Sequence, residues 1–258
     1  MKKYLVYLLL LFIPFTVFAS EYKVDDATVS LNDDAWMVFT RDNLKDNENL
    51  KKLGISEEYV MHTLISQSAY LDAITFDQEK NILEFFVFIK EVPVNKNLHT
   101  FTDEEIEESK NSLIDKYSTT LSVDKSKVNI ELHSLNNYSY FTIKYSQQGL
   151  QVKDFFTVIN GKAYTFKFQK AKGLYEYEDK MEDLIKNVKF EYNKDFEPAS
   201  SEEETEEEQL TVTISVAAII VCVVISLGSI IVAVVLIIRH QKNKNKVNIL
   251  CLLFYYLI

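Results

Sequence analysis

Cysteine is scarce in this sequence of 258 residues, and the positions of its two cysteines exclude several kinds of site. Cys222 and Cys251 both lie in hydrophobic segments near the C-terminus, so residues 20–209 contain none. That part of the chain therefore has no means of forming a disulfide, a thiolate metal site or a cysteine nucleophile. A secreted domain without disulfides is more typical of a bacterial envelope of the Gram-positive type than of an animal cell surface.

Glycine and histidine are also rare, which bears on catalysis. The chain has five glycines and four histidines, and it contains no HExxH, GxSxG or glycine-rich phosphate-binding motif. The acids of residues 104–108 fit the solvated face of a helix and lack the alternating spacing of a calcium loop. We therefore expect no enzymatic activity, no cofactor and no metal, and an unrecognised hydrolase is the less favoured alternative.

One long uncharged run, residues 211–238, dominates the C-terminal part of the sequence. A helix of this length crosses a hydrocarbon core of about 30 Å with residues to spare, so we predict a transmembrane helix over residues 210–238. Residues 239–246 hold four basic residues and no acid, whereas residues 202–208 hold six glutamates. The positive-inside rule then predicts an integral single-pass protein of the cell membrane, with its N-terminal domain extracytoplasmic and its C-terminus cytoplasmic.

The two ends of the chain and the segment before the run have distinct compositions. Residues 1–19 combine two lysines, an apolar stretch and Ala19, which is typical of a cleavable signal peptide; an uncleaved anchor is the alternative. Residues 195–209 are acidic without hydrophobic periodicity and predict a solvated stalk. Residues 239–258 form a short basic and then hydrophobic tail, whose end either lies in the membrane interface or comes from an altered reading frame.

The charge of the outer part restricts its partners. Residues 20–209 carry 22 basic and 38 acidic residues, a net charge of −16. Such a surface repels nucleic acid and anionic lipid headgroups at long range. We therefore expect no nucleic-acid binding.

Alternation of apolar and polar residues predicts paired strands in residues 20–194. Asn160-Gly161 is a two-residue hairpin turn signal, because both positions of a type I′ turn need positive φ. Residues 70–76 and 82–91 form another predicted pair, with residues 77–81 as the loop. This loop length sets Asp72 opposite Phe86 and Ile74 opposite Glu84.

Two carboxylates, Asp72 and Glu84, interrupt the aromatic face of that predicted strand pair. One interpretation places both acids where a covering helix leaves the sheet open and pairs them with lysines. The other makes them the floor of a polar-lined pocket. Asp72 and Glu84 are accordingly the candidate pocket residues.

The only tryptophan, Trp36, follows the polar turn of residues 32–34. A single large aromatic near the end of a strand favours a core anchor at one end of the domain. A ligand-stacking role is the alternative.

The order of the predicted elements resembles the PsbP-like α+β sandwich over about residues 22–192. The resemblance depends on Asn32-Asp33-Asp34-Ala35-Trp36, on Tyr70-Leu71-Asp72-Ala73-Ile74 and on Asn160-Gly161-Lys162-Ala163 before the last helix. It implies an α+β domain with a mainly antiparallel sheet and flanking helices, to which one transmembrane helix is added. It also implies a non-enzymatic accessory that binds or assembles, as in uncharacterised single-pass envelope proteins.

These observations together predict a membrane-anchored cell-surface binding or envelope-assembly accessory. An extracytoplasmic sensor that signals through a membrane partner is the alternative. The partner is an envelope or membrane protein, or a second copy bound through the transmembrane helix, where small residues follow one stripe. The stripe consists of Ser215, Ala218, Cys222, Ser226, Ser229 and Ala233.

Overall fold

The computed structural model of the protein describes residues 19–147 and 149–199. The predicted signal peptide, except for Ala19, and the predicted transmembrane helix and tail lie outside these residues, as do the six small residues of the predicted packing stripe. Within the described residues, no helix is both long enough and apolar enough to cross a membrane.

The described part contains ten strands and four α-helices. The strands are β1 (Ser20–Val24), β2 (Ala27–Leu31), β3 (Met37–Thr40), β4 (Ala69–Phe76), β5 (Ile82–Glu91), β6 (Asn129–Leu135), β7 (Tyr138–Gln147), β8 (Leu150–Ile159), β9 (Lys162–Lys170) and β10 (Lys189–Phe190). The helices are α1 (Glu48–Leu53), α2 (Glu57–Ser66), α3 (Asp103–Leu121) and α4 (Glu178–Lys186). Short 3₁₀ turns cover Leu98–Thr100, Lys125–Lys127 and Leu174–Tyr177.

Seven strands form one large sheet in the order β3-β4-β5-β9-β8-β7-β6, and β1, β2 and β10 form a small one. Every pair of neighbouring strands is antiparallel. The predicted α+β class with a mainly antiparallel sheet and flanking helices is therefore confirmed. The strands flanking the turn of residues 32–34 separate into the two sheets, because β2 pairs with β1, a strand that the sequence pattern did not reveal.

The front face of the large sheet packs against the small sheet and α4. This core is rich in aromatic rings from β5, β8 and β9; Phe85 and Phe168 stack with ring centroids 4.6 Å apart, and Phe155 meets Phe168 edge to face. Met181 and Ile185 of α4 and Val29 of β2 close it from the other side. Aromatic side chains bury large apolar areas, so we expect this layer to contribute strongly to the stability of the domain.

The back face packs against the other three helices in two separate clusters. α3 covers β6, β7 and β8 through Leu113 and Tyr117, and α1 with α2 covers β3, β4 and β5 through Leu50, Val60 and Leu64. The start of α3 is fixed by a capping box: the Glu105 amide donates to Thr102 Oγ1 over 3.3 Å, and the Thr102 amide donates to Glu105 Oε2 over 2.7 Å. The sequence predicts this box, because a hydroxyl at the cap and an acid three residues later satisfy two exposed amides.

The pairing of β4 with β5 follows the predicted register. Asp72 lies opposite Phe86, Ile74 opposite Glu84 and Phe76 opposite Ile82. A one-residue slip would move every apolar side chain of the front face to the other side of the sheet, so burial fixes the register.

Residues 191–199 do not leave the domain directly but run along the turn between β8 and β9. Asn160 Nδ2 donates to the Glu191 carbonyl over 2.8 Å, and the Asn193 amide donates to Asn160 Oδ1 over 3.1 Å. The Ala199 amide donates to the Pro93 carbonyl over 2.9 Å. The first five residues of the predicted stalk, 195–199, therefore lie against the domain.

Replacing Gly161 by Ala should release this segment. Gly161 has φ of 69°, and an added Cβ would lie 2.7 Å from Phe196 Cζ and 3.2 Å from Pro93 Cα. We expect a loss of about 1–2 kcal/mol in the free energy of unfolding from the left-handed backbone alone, together with faster trypsin cleavage after Lys194. Limited proteolysis with mass spectrometry measures the cleavage.

Gly149→Ala is the matched control, because Gly149 has φ of 80° with nothing within 4 Å of the added Cβ. It should lower the free energy of unfolding by the same amount, because alanine is strained in the left-handed backbone region, but it should not speed cleavage after Lys194. Equal cleavage rates in the two variants would show that Phe196 does not hold the segment.

Candidate functional site: a cleft at one end of the sheet

A cleft of about 660 Å³ opens at one end of the front face of the large sheet. We call it the end cleft. It lies where the β4–β5 turn, the turn after β2 and the start of α4 meet. Its lining residues come from three separate segments of the chain: Ala35, Trp36, Thr75, Phe76, Asp77, Gln78, Glu79, Asn81, Leu83, Phe168, Lys170, Lys172, Gly173, Glu176, Tyr177, Lys180, Met181 and Leu184.

The floor of the end cleft is apolar. Trp36 is half-buried and its ring centroid is 6.3 Å from that of Phe85 in an edge-to-face contact, so the core holds one side of the indole. Phe168 and Met181, both almost fully buried, continue the floor. Trp36 therefore combines the two roles considered from sequence: it packs on the core at one end of the domain and it lines an open cleft.

A buried ion pair lies at the wall of the end cleft. Lys170 Nζ is 2.8 Å from Asp77 Oδ2, and the two side chains are only 5% and 7% exposed. Lys170 also donates to the Lys172 carbonyl over 3.0 Å and lies 4.9 Å from the centroid of the Tyr177 ring. Such a pair is stable only because hydrogen bonds satisfy its remaining polar atoms.

Asp77 receives these hydrogen bonds from its own loop. Asn81 donates to the carboxylate from its backbone amide over 2.7 Å and from Nδ2 over 3.0 Å. Desolvation acts to raise the pKa of Asp77, but the hydrogen bonds from Lys170 and Asn81 outweigh it and hold that pKa at about 2. The carboxylate is therefore charged at neutral pH and fixed in place.

The rim of the end cleft carries charges of both signs. Lys172 and Lys180 are exposed, and Lys180 Nζ lies 5.3 Å from the centroid of the Tyr177 ring. Glu79 and Glu176 are the exposed acids of the rim. In a strongly acidic domain the end cleft is thus locally balanced in charge, so it does not repel an anionic or neutral partner at close range.

Asp72 and Glu84 lie elsewhere, on the back face of the sheet, and neither lines the end cleft. They are 3% and 1% exposed. Glu84 Oε2 accepts a 2.6 Å hydrogen bond from Gln169 Nε2, while Asp72 Oδ1 and Glu84 Oε1 have no hydrogen-bond partner. Their pairing with lysines and their role as a pocket floor both stay predictions.

Burial changes the ionisation of both acids. Desolvation raises the pKa of Asp72 to about 8. Desolvation, followed by the charge of Asp72, raises the pKa of Glu84 well above its usual range, although the hydrogen bond from Gln169 opposes this. The pair therefore holds at least one proton at neutral pH, because two adjacent buried carboxylates do not both ionise.

A third buried acid, Asp154 of β8, lies on the same face, two strands from Glu84 and three strands from Asp72. Its Oδ2 accepts hydrogen bonds from the Tyr117 hydroxyl over 3.1 Å and the Tyr145 hydroxyl over 3.2 Å. Burial raises the pKa of Asp154, and the charge of Lys167 in the opposite strand lowers it in part. The sequence shows Asp154 and Lys167 on predicted strands, but only the register of β8 with β9 brings them together.

The described residues contain no group of three or more His, Cys, Asp or Glu side chains arranged to hold a metal ion. The three histidines of the domain lie far apart in the fold. His62 is exposed on α2, His99 Nε2 is 3.1 Å from the Tyr192 hydroxyl, and His133 lies between Glu131 and Glu182. The end cleft itself combines an apolar floor with a polar rim.

No protein-family model and no curated protein matches the chain. Among solved structures, it is similar to the solution structure of cyanobacterial PsbP (CyanoP) from Synechocystis sp. PCC 6803. The two are 12% identical, with a TM-score of 0.40, over 69% of this chain and 95% of that chain. The fold class given above depends on the strand order of this chain and not on that similarity.

Proposed function

We propose that the protein is a membrane-anchored, extracytoplasmic binding or envelope-assembly accessory with a PsbP-like domain, and that its end cleft binds a polypeptide segment of a partner protein. The partner is an envelope or membrane protein. The proposal includes the single-pass orientation predicted from sequence, with the cytoplasmic C-terminus at the basic tail.

The end cleft is the observation that carries this proposal. Protein interfaces combine an apolar centre rich in aromatic residues with a polar rim, and Trp and Tyr contribute most of the binding energy in them. Trp36 and Tyr177 lie at the floor and wall of the end cleft, and Lys172, Lys180 and Glu79 lie at its rim. A segment with one apolar anchor side chain flanked by polar residues has the chemistry that such a surface selects.

The rigidity of the wall also supports binding. The Asp77–Lys170 pair fixes the β4–β5 turn to the end of β9, and the Phe85 ring holds the indole of Trp36. A preorganised surface loses little conformational entropy when a partner docks, so more of the contact energy appears as affinity.

Crosslinking of the tagged full-length chain in its native cell tests the proposal. Trp36→Ala should reduce the yield of polypeptide adducts at least about tenfold, since loss of an aromatic anchor costs about 2 kcal/mol or more. Lys180→Glu, which reverses one exposed rim charge, should also reduce the yield and does not touch the core.

Two variants serve as matched controls. Phe101→Ala removes a half-buried aromatic side chain of the back-face core, and Lys45→Glu reverses an exposed charge in the loop before α1. Both should leave the adduct yield unchanged. Equal yields from Trp36→Ala, Lys180→Glu and the two controls would contradict binding at the end cleft.

A further inference from the structure

The large sheet ends in β3 on one side and in β6 on the other, and loop side chains close the β3 side. Asn43 Nδ2 and Asn47 Nδ2 donate to the Val38 carbonyl over 3.1 Å and 3.2 Å. The Thr40 amide donates to Asn43 Oδ1 over 2.7 Å. The loop after β3 therefore takes the hydrogen bonds that a further strand would otherwise make with this edge.

The β6 side of the sheet is open over the whole length of the strand. β6 pairs with β7 from Asn129 opposite Lys144 to Leu135 opposite Tyr138 without a bulge, and among residues 19–147 and 149–199 no strand pairs with its outer side. Every second residue of an antiparallel strand directs its amide and carbonyl away from its neighbour, so about three residues of β6 offer these groups outward. Its sequence, NIELHSL, also lacks the lysine and proline that often protect an edge.

An exposed apolar side chain lies at the centre of β6. Leu132 is the middle residue of the strand and is 42% exposed. It shares the back face with Ile130, which packs in the core under α3. Glu131 and His133 flank it on the front face, where His133 Nδ1 is 3.7 Å from Glu182 Oε1 of α4. A strand added at this edge would cover part of Leu132.

The sequence of β6 is complementary to itself in one register. Two antiparallel copies related by a twofold axis at Leu132 pair the full strand, and Glu131 of each copy then lies opposite His133 of the other. Moving the axis by one residue keeps the faces matched but pairs only residues 129–133 or 131–135. It also sets Glu131 opposite Glu131, or His133 opposite His133.

The charge of Glu131 favours the central register. Hydrogen bonds from Asn129 and His133 lower the pKa of Glu131, so the carboxylate is charged at neutral pH. An imidazole N–H can donate to a carboxylate directly across a strand pair, whereas two carboxylates placed opposite each other repel. The register that pairs the whole strand is thus also the one with complementary side chains.

We propose that β6 is a self-association surface, at which two copies of this chain pair their β6 strands antiparallel about Leu132 and join their large sheets into one. This interface is separate from the end cleft and from the predicted packing stripe.

Disulfide trapping in the full-length chain in detergent tests this pairing. The chain carries Cys222→Ser and Cys251→Ser, and one new cysteine replaces Leu132, Ser134 or Lys45. Opposed residues of an antiparallel pair have Cα atoms about 4.5–5.5 Å apart, which a disulfide can bridge, whereas the two copies of residue 134 would lie about 13 Å apart. After mild oxidation we expect several times more linked dimer from Leu132→Cys than from Ser134→Cys or Lys45→Cys, which are also exposed positions.

A charge reversal separates paired strands from chance collisions. In the Leu132→Cys chain, Glu131→Lys should lower the yield of linked dimer about threefold or more, because it removes both opposed acid–imidazole pairs. Adding His133→Glu gives each new lysine an opposed carboxylate and should restore the yield.

Equal yields from the three cysteine positions would overturn a second copy as the partner of β6. Association through the predicted packing stripe alone would give this result. A yield from Ser134→Cys above that from Leu132→Cys would overturn the register, and so would a Leu132→Cys yield that Glu131→Lys leaves unchanged. None of these outcomes bears on the crosslinking of Trp36→Ala, which tests the end cleft.

Discussion

Asp72→Asn should raise the free energy of unfolding at pH 8 by about 3 kcal/mol and remove much of its pH dependence between pH 6.5 and pH 8. Asp72 is buried on the back face with Oδ1 unpaired, and burial raises its pKa to about 8. The amide has nearly the same shape and carries no charge at any pH. It therefore removes the cost of ionising a buried carboxyl group.

The sign of this effect follows from proton binding. In the unfolded chain Asp72 ionises near pH 4, whereas in the folded domain it keeps its proton to about pH 8. Between these two pH values the folded state binds more protons than the unfolded state. The free energy of unfolding therefore falls by about 1.4 kcal/mol for each unit by which the pH rises. Burying the amide of the new asparagine also has a desolvation cost. The increase in the free energy of unfolding is therefore smaller than the difference between the folded and unfolded pKa values alone would give.

Glu84→Gln should act in the same direction, because desolvation and Asp72 raise its pKa as well. Burial lowers the pKa of His99, which has the opposite effect: its contribution to stability is lost as pH falls below about 6.5. The interval from pH 6.5 to pH 8 therefore lies above the effect of His99 and reports the buried carboxyl groups, Asp72 and Glu84 together with Asp154. Within it, the wild-type chain should become less stable as pH rises.

Urea unfolding followed by tryptophan fluorescence measures the free energy of unfolding at each pH, with the full-length chain in detergent. Trp36 is the only tryptophan and lies in the domain, so its emission reports unfolding of this part alone. Asp34→Asn, at an exposed turn position, is the control and should not change the pH dependence. Wild-type stability that is flat or rises from pH 6.5 to pH 8 would contradict the account.

Lys170→Met should lower the free energy of unfolding by about 3 kcal/mol. Its removal leaves the Asp77 carboxylate, 7% exposed, without the cation 2.8 Å away. Methionine keeps the length and apolar stem of lysine, so packing against the Tyr177 ring is largely retained. The cost comes from an uncompensated charge and not from a cavity.

The double variant Lys170→Met with Asp77→Asn separates these contributions. Removing both charges should recover about half or more of the stability lost in Lys170→Met alone, because no buried charge is then left without a partner. The same urea titration at pH 7 gives the coupling energy. Additive losses in the double variant would mean that the two residues do not stabilise each other.

The pH dependence of the Asp77–Lys170 pair has the opposite sign to that of Asp72. Hydrogen bonds from Lys170 and Asn81 hold the pKa of Asp77 at about 2, below its unfolded value. Its contribution is therefore complete above about pH 4 and is lost progressively as the pH falls from about 4 to about 2. Part of the acid destabilisation of the wild-type chain near pH 3 should accordingly come from this pair.

Local patterns in the sequence predicted much of the sheet. The five-residue loop 77–81 fixed the register of Asp72 and Glu84, and Thr102 with Glu105 marked the start of α3. These features depend on residues close in sequence, whose spacing alone determines the hydrogen bonds. β1 was missed because its five residues, SEYKV, include only one fully buried side chain.

The end cleft could not be predicted in this way. Asp77 and Lys170 are 93 residues apart and meet because β5 pairs with β9, a pairing that hydrophobic alternation does not specify. In the sequence Asp77 is therefore an ordinary loop residue, because the pattern does not indicate that β9 brings a lysine next to it. The burial of Asp72 and Glu84 depends likewise on how α1 and α2 cover the sheet. The alternation of apolar and polar residues along β4 and β5 does not determine that covering.

Site-specific photocrosslinking in the native cell tests the central claim, that the end cleft binds a partner polypeptide. A photoreactive amino acid replaces Gln78 at the rim of the end cleft, or His62 on α2 at the other face of the sheet. We expect a discrete polypeptide adduct from position 78 that is absent from position 62 and is lost with Trp36→Ala. No polypeptide adduct from position 78, a glycan adduct alone, or the same adduct from both positions would contradict it.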